Sequence, residues 1–427
     1  MTLLLGAIAD DFTGATDLAS MLTRGGMRTI LKLGAPGPDE ALPEAEPETE
    51  AVVVALKSRT APVAEAVADS LASWRWAARG GARQCYFKYC STFDSTPQGN
   101  IGPVAEALMA ETGATQTIYC PALPENGRTI YQGKLFVFDR LLSESGLRDH
   151  PLTPMTDADL VRVLAAQLSP GAKTGLVPYP VVEQGAGAIR ARLDRLAAEG
   201  VAHVVVDALT DAHLASLGRA STGMALVTAG SGLGLGLPAN FAAEGLLAGG
   251  AADALPLIGG PVLLLSGSCS AATNDQVARW QADGSATLRL DPLALAEGGQ
   301  SAAIALDWIA AQGGAPVLVA ATQPPDRVRA AQQALGRERA AALVEGTLAA
   351  IATGARAAGI RRFVVAGGET SGAVAKALGA NRLAVGPSIA PGVPWCATLG
   401  ADPFALALKS GNFGAETFFC DAVETAP

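Results

Sequence analysis

Two adjacent aspartates stand where an apolar run gives way to a helical pattern. In IADDFTGATDLA (residues 8–19), Asp10 and Asp11 end the run, and Thr13 and Gly14 follow before the helix. Strand ends of this kind face the ligand crevice in open α/β sheets. An Asp or Thr here can simply cap the helix, but one cap uses one residue. The second carboxylate is left for hydroxyl binding, proton abstraction or metal contact. A second polar cluster, FKYCSTFDSTPQGNIGP (87–103), also follows a strand and gathers Lys88, Ser91, Asp94, Ser95 and Thr96 in a loop closed by Gly99. That mixture can hold a polyol and its acid group. LKSRT (56–60) brings Arg59 to another strand end, where it reads either as a surface cation or as a bidentate partner for a carboxylate.

Further on, PALPENGRTIYQGKLFV (121–137) carries Glu125, Asn126, Arg128 and Lys134, and it leads to a polar loop containing Arg148 and His150. His150 precedes Pro151, which favours an extended or turn conformation. It reads as a substrate contact or as an ordinary surface histidine.

The second half of the chain offers small-residue turns instead. LLLSGSCSAATNDQV (263–277) is a strand, a turn and a helix, so backbone N–H groups with Ser266 or Ser268 could meet a phosphate. VVAGGETSGAVAKALG (364–379) repeats the arrangement with Gly367, Gly368, Thr370, Ser371 and Gly372, and LALKSGNFG (406–414) adds a polar loop around Lys409 and Gly411. Any one of these is ordinary connection geometry between strand and helix. Three in one half point to a nucleotide. Neither GxxxxGK[ST] nor a GxGxxG opening a helix occurs, so an ATP site would use another cradle.

These residues need strands to carry them. Apolar runs at 3–8, 52–56, 85–89, 116–120 and 204–207 alternate with helical stretches, and the alternation restarts at 262–267, 316–321 and 362–368. This pattern predicts an α/β protein of two domains, each a mostly parallel sheet flanked by helices, with the active site in the interdomain cleft. The expected divisions are a substrate domain over 1–238, a linker region over 239–260 and a nucleotide-binding domain over 261–427. The stretch between Arg219 and Glu244 has no charge, yet its glycines and Pro238 argue for a loop rather than a membrane span. The acidic, proline-containing segment at 36–50 reads as an exposed loop.

At 427 residues the chain exceeds what one core usually supports. Its net charge of -9 disfavours nucleic acid and anionic membranes as partners. MTLLLGAIADDF lacks the basic leader of a signal peptide, so a cytoplasmic location is expected. The 6 cysteines form no CxxC pair and the 3 histidines do not cluster, so no protein metal site is read and catalysis must lean on carboxylates, cations and backbone amides. A homodimer is compatible with the 49% hydrophobic content. A nonenzymatic sugar-acid sensor and a nicotinamide-dependent dehydrogenase are the competing readings. The first has no use for a second anion cradle, and the second lacks its fingerprint.

Seven segments together resemble the four-carbon acid sugar kinase family: ADDFTGA (9–15), STFDSTPQGNIGP (91–103), GRTIYQGKLFV (127–137), HPLTPM (150–155), SGSCS (266–270), GGETSG (367–372) and LKSGNFG (408–414). The match spans almost the whole chain. It implies an N-terminal domain that holds the sugar acid, a C-terminal domain that holds ATP with Mg²⁺, and phosphoryl transfer to the C4 hydroxyl. The implied substrate is most like a 3-oxo-tetronate, with D-threonate and D-erythronate as alternatives. Carried onto matching positions, Ser266, Gly368, Glu369, Thr370, Ser371 and Gly411 look like nucleotide contacts. Asp10, Asp11, Arg59, Lys88 and Asp94 look like the acid-sugar pocket; the polar loops themselves, apart from the resemblance, add Ser91, Arg128 and His150 as substrate contacts. Asp11 or Asp94 would orient the attacking hydroxyl, and Lys88, Arg59 or Arg128 would hold the substrate carboxylate.

Overall fold

Short strands that are apolar on both faces are the sequence signature of a parallel sheet covered by helices, and both halves of the chain are built this way. A computed structural model describes residues 3–37, 40, 49–150 and 152–427. Most of the acidic segment expected as a loop, 38, 39 and 41–48, and Pro151 lie outside the described residues. The chain divides between Asp253 and Ala254 into two units.

The first unit contains β1 (Leu5–Ala9), β2 (Thr29–Leu33), β3 (Ala51–Ala55), β4 (Gln84–Lys88), β5 (Thr117–Cys120), β6 (Arg128–Tyr131), β7 (Lys134–Val137), β8 (Arg140–Leu141), β9 (Thr174–Val177), β10 (His203–Val206) and β11 (Leu226–Ala229). Eight of them form a wholly parallel array in the order β2-β3-β1-β4-β11-β5-β10-β9. In β1 and β3 every residue is buried, as LGAIA and AVVVA require. Register decides what meets at the carboxyl edge. Ala9 lies beside Ala55 on one side and Lys88 on the other, so the segments after β1 and β3 emerge next to the end of β4.

β6, β7 and β8 form a separate antiparallel ribbon. Its first turn places Gln132 at φ 52 and Gly133 at φ 71, the doubly positive geometry that suits a two-residue hairpin. The buried Asp207 carboxylate accepts from the amides of Gln132 (2.6 Å), Gly133 (2.8 Å) and Tyr179 (2.7 Å) and so pins that turn.

The second unit contains β12 (Val262–Ser266), β13 (Thr287–Arg289), β14 (Val317–Ala320), β15 (Arg362–Ala366), β16 (Arg382–Ala390), β17 (Val393–Thr398) and β18 (Ala405–Lys409). The order is β13-β14-β12-β15-β18-β17-β16, parallel up to β18 and antiparallel beyond it. Trp280, Trp395, Phe418 and Phe419 fill its core.

One expectation is corrected. The uncharged stretch after Arg219 is not simply a loop, because Leu226–Ala229 forms β11 in the middle of the parallel array, and Pro238–Ala243 is helical. A strand buried on both faces needs no charge. Among the described residues no helix is long and apolar enough to cross a membrane.

Candidate active site

In the first unit, Asp10, Asp11, Arg59 and Lys88 converge. Asp11 is the N-cap of the Phe12–Arg24 helix, and its Oδ1 accepts from the Gly14 amide at 3.1 Å. It is more than a cap, since Arg59 Nη2 donates to the same oxygen at 2.6 Å, Lys88 Nζ donates to it at 3.3 Å, and Thr13 donates to Oδ2 at 2.7 Å. Arg59 also forks onto Asp10, with Nε to Oδ2 and Nη2 to Oδ1 both at 2.9 Å. Lys88 Nζ lies 3.9 Å from Asp10 Oδ1. A Cβ on Gly14 would sit 1.7 Å from Lys88 Nζ, so glycine is required for the lysine to reach Asp11.

The electrostatics follow from this geometry. Burial pushes the Asp11 carboxyl up, but the adjacent Lys88 and Arg59 charges outweigh it and hold the group well below the usual carboxylate range. Burial dominates at Asp10 and raises it despite Arg59. Lys88, itself buried, is nevertheless raised because Asp11 and Asp10 stabilise its charge against desolvation. Two anions and two cations sum to zero. Each cation is matched by an aspartate. A balanced cluster of this kind suits hydroxyl groups, each of which can donate to a carboxylate and accept from a cation.

Two amides brace the cluster that motif reading did not single out. Asn100 Nδ2 donates to the carbonyls of Ser58 (2.7 Å) and Ala61 (3.0 Å), which shapes the turn carrying Arg59. Gln167 bridges Ser95 Oγ (2.8 Å), the Thr96 carbonyl (2.9 Å) and the Gly102 amide (2.9 Å). Asn100 immediately precedes the Ile101–Thr112 helix, yet its side chain makes no capping bond.

The other substrate candidates stand apart. Asp94 accepts from Thr92 at 2.6 Å and, among the described residues, forms no ion pair with Arg59 or Lys88. Cys90 links the two regions: its thiol, pushed up to about 11 by burial, feels Arg59, Asp94 and Lys88 together. Ser91 is half-buried in the same turn, where Phe93 is held at φ 52. Arg128 donates to the Asn126 carbonyl and lies over the Phe138 ring at 5.6 Å, with its Nε buried and unpartnered. His150 Nδ1 accepts from the Thr153 amide at 3.1 Å. Neither Arg128 nor His150 bonds to the aspartate cluster.

In the second unit the turns after β12 and β15 border one cavity of about 320 Å³, within the range of small-molecule sites. Gly267, Ser268, Gly367, Gly368, Glu369 and Thr370 line one side. The Gly368–Ala377 helix begins there with Gly367 at φ 123 and no side-chain cap, leaving its first amides toward the opening. A Cβ on Gly267 would lie 2.1 Å from Thr370 Oγ1. The opposite wall is apolar, from Val328, Ala331, Ala340, Ala341 and Val344, with Arg327 and Arg337 beside it. Sequence reading missed this wall. Its only signal is an alanine-rich face on two helices separated by Gly336, a pattern shared with ordinary packing.

Ser266 and Ser371 are fully buried and do not line the cavity. Ser266 Oγ meets Thr322 Oγ1 at 2.5 Å, and Ser371 Oγ donates to the Val365 carbonyl at 3.3 Å. Both support the turns from behind. Gly411 joins from β18: its carbonyl accepts from Ser270 Oγ (2.6 Å) and Thr273 Oγ1 (2.7 Å), at the start of the Ala271–Ala282 helix.

Known proteins match both units. Residues 5–237 match a family model described as a sugar-binding N-terminal domain, and residues 263–419 match one described as a nucleotide-binding C-terminal domain. A 3-oxo-tetronate kinase of Cupriavidus necator is 56% identical over 98% of this chain and 96% of its own length, and one of Burkholderia multivorans is 55% identical with the same coverage. A solved structure from Salmonella typhimurium LT2 is 42% identical, with a TM-score of 0.87 and 98% of each chain covered. Haemophilus influenzae protein HI1011 is also 42% identical, with a TM-score of 0.83, covering 98% of this chain and 99% of that one. With a sugar-binding and a nucleotide-binding domain in this order and relatives matching nearly end to end, the chain belongs to the four-carbon acid sugar kinase family.

Proposed function

We propose that this protein transfers the γ-phosphoryl group of ATP to the C4 hydroxyl of a 3-oxo-tetronate, giving the 4-phosphate. The observation that carries the reading is the charge-balanced cluster of Asp10, Asp11, Arg59 and Lys88 at the carboxyl edge of β1 and β4, in a chain 56% identical to a 3-oxo-tetronate kinase. Phosphoryl transfer asks a protein chiefly for positioning and charge neutralisation. Asp11 stays ionised and fixed by four donors, so it accepts a hydrogen bond from the attacking hydroxyl and orients it. Arg59 and Lys88 fix the two carboxylates and donate to the remaining hydroxyl oxygens of the sugar acid.

The cavity of the second unit takes the nucleotide, its apolar wall against the base and the amides after Gly367 against the phosphates. The acid chain of Glu369 and the hydroxyl of Thr370 beside those amides are oxygen donors of the kind Mg²⁺ prefers, and they would hold it together with the phosphates. When bound, Mg²⁺ neutralises phosphate charge. The protein's own part is to orient the hydroxyl and to hold the phosphates.

The reading is tested by coupled ADP release with Mg²⁺-ATP against 3-oxo-tetronates, D-threonate, D-erythronate, L-threonate and a no-acid control. Release with a 3-oxo-tetronate alone is the expected result. Preference for D-threonate or D-erythronate would keep the kinase and move its specificity. No release with any acid would overturn the reading.

A further inference from the structure

A lysine in a glycine-bearing loop of a nucleotide-binding unit invites comparison with lysines that reach out to phosphate. Lys409 does the reverse. It ends β18 with no exposed surface, and its Nζ points into the protein, donating to the carbonyls of Ser410 (3.0 Å), Gly411 (2.9 Å) and Phe413 (3.1 Å) and to Thr273 Oγ1 (3.2 Å). The Phe418 ring closes the site at 5.5 Å. Among the described residues no carboxylate pairs with this ammonium. Burial lowers this amine to about 7, while the four oxygens and the aromatic face around it favour its protonated form, as they would a bound monovalent ion.

The consequence lies on the other side of the loop. In a trans peptide the carbonyl of one residue and the N–H of the next point in opposite directions. Turning the carbonyls of Ser410, Gly411 and Phe413 toward Lys409 turns the amides of Gly411, Asn412 and Gly414 away from it. No main-chain carbonyl accepts from these three amides among the described residues. Gln276 reinforces the arrangement, its Nε2 donating at 3.0 Å to the carbonyls of Phe413, Gly414 and Ala415. The loop abuts the turn that lines the cavity, since a Cβ on Gly411 would lie 2.7 Å from Ser268 Oγ. Successive outward amides form an anion-binding concavity.

We propose that Lys409 is a positioning residue for the nucleotide, a tethered monovalent cation that holds carbonyls inward so that the amides of Gly411, Asn412 and Gly414 face the phosphates. The inference rests on the nucleotide reading of this cavity. Without the ammonium, the Ser410, Gly411 and Phe413 carbonyls would each lose one donor and keep only the Phe413 amide, the Ser270 and Thr273 hydroxyls and the Gln276 amide, which would loosen the loop that aims the three amides.

The test uses the full chain with Lys409→Met and Lys409→Ala. For each variant that folds, KM for ATP is expected to rise about tenfold or more, with kcat and the KM for the sugar acid changing by no more than about threefold. Methylammonium chloride should restore ATP affinity to the alanine variant, whose vacated space admits it, and not to the methionine variant. An unchanged KM for ATP, or equal rises for both substrates with no rescue by the amine, would overturn the proposal. Should neither variant fold, amide hydrogen exchange on the native protein decides: ATP is expected to protect Gly411, Asn412 and Gly414, and unprotected amides there would overturn it. Failure of the native protein to bind ATP at all in a thermal-shift titration would instead refute the nucleotide reading itself.

Discussion

The two units present polar groups by opposite means. The first gathers charged side chains from three strand ends and cancels their charges against one another, so that Asp10, Asp11, Arg59 and Lys88 form a neutral lattice of donors and acceptors. The second adds backbone to a few polar side chains: glycine turns, an uncapped helix start and a loop whose one lysine faces inward, beside Glu369 and Thr370. The difference follows from the ligands each surface suits. Hydroxyls both donate and accept, so a mixed lattice recognises them, whereas phosphate oxygens only accept and are met by amides and helix dipoles.

The sharpest way to break this comparison is Lys88→Met. Removing one cation leaves a buried aspartate pair with Arg59 alone, a change of the kind that costs about 3 kcal/mol or more. The kcat/KM for the sugar acid should fall by about 10³, while the KM for ATP stays within about twofold in steady-state assays. Equal damage to both substrates would mean that the two units do not divide the work.

Gly367→Ala probes the other side with a smaller effect. At φ 123 a side chain is strained, and the new Cβ would approach the Ser268 amide at 3.1 Å and Thr370 Oγ1 at 3.2 Å. Denaturant melts should show a loss of about 1–3 kcal/mol, and the KM for ATP should rise about tenfold with that of the sugar acid unmoved.

The smallest effect concerns Asp17, buried behind the first cluster and hydrogen-bonded to Ser231. Burial raises its carboxyl from 3.8 to about 6. Between those values the folded state holds a proton that the unfolded chain has released, so stability falls as pH rises from about 4 to 6 and the penalty is complete above 6. Asp17→Asn should abolish that decline. Thermal melts are expected to show no difference from the native protein near pH 4 and a gain above pH 6 of no more than about 3 kcal/mol.

Most strand cores were legible in sequence because parallel strands buried on both faces must be apolar runs, and VVVAL, CYFKY and VLLLSG admit little else. β11 was not, since LVTA sits in a glycine-rich uncharged stretch where loop signals dominate locally. The aspartates, Arg59 and Lys88 were likewise visible as chemistry at strand ends. Their pairing was not, because the bonds span 49 and 77 positions and depend on β1 lying between β3 and β4.

By itself the sequence determined the alternation of buried runs and helices, the glycines on which close approach depends, and the residue types able to bind hydroxyls and phosphates. These are local properties of composition and period. Only the tertiary structure decided that two cations would neutralise two aspartates, that Asn100 would brace a turn instead of capping its helix, that an alanine-rich helical face would wall a cavity, and that Lys409 would point inward. Each depends on which distant segments become neighbours, and on the cost of leaving a buried donor or charge without a partner.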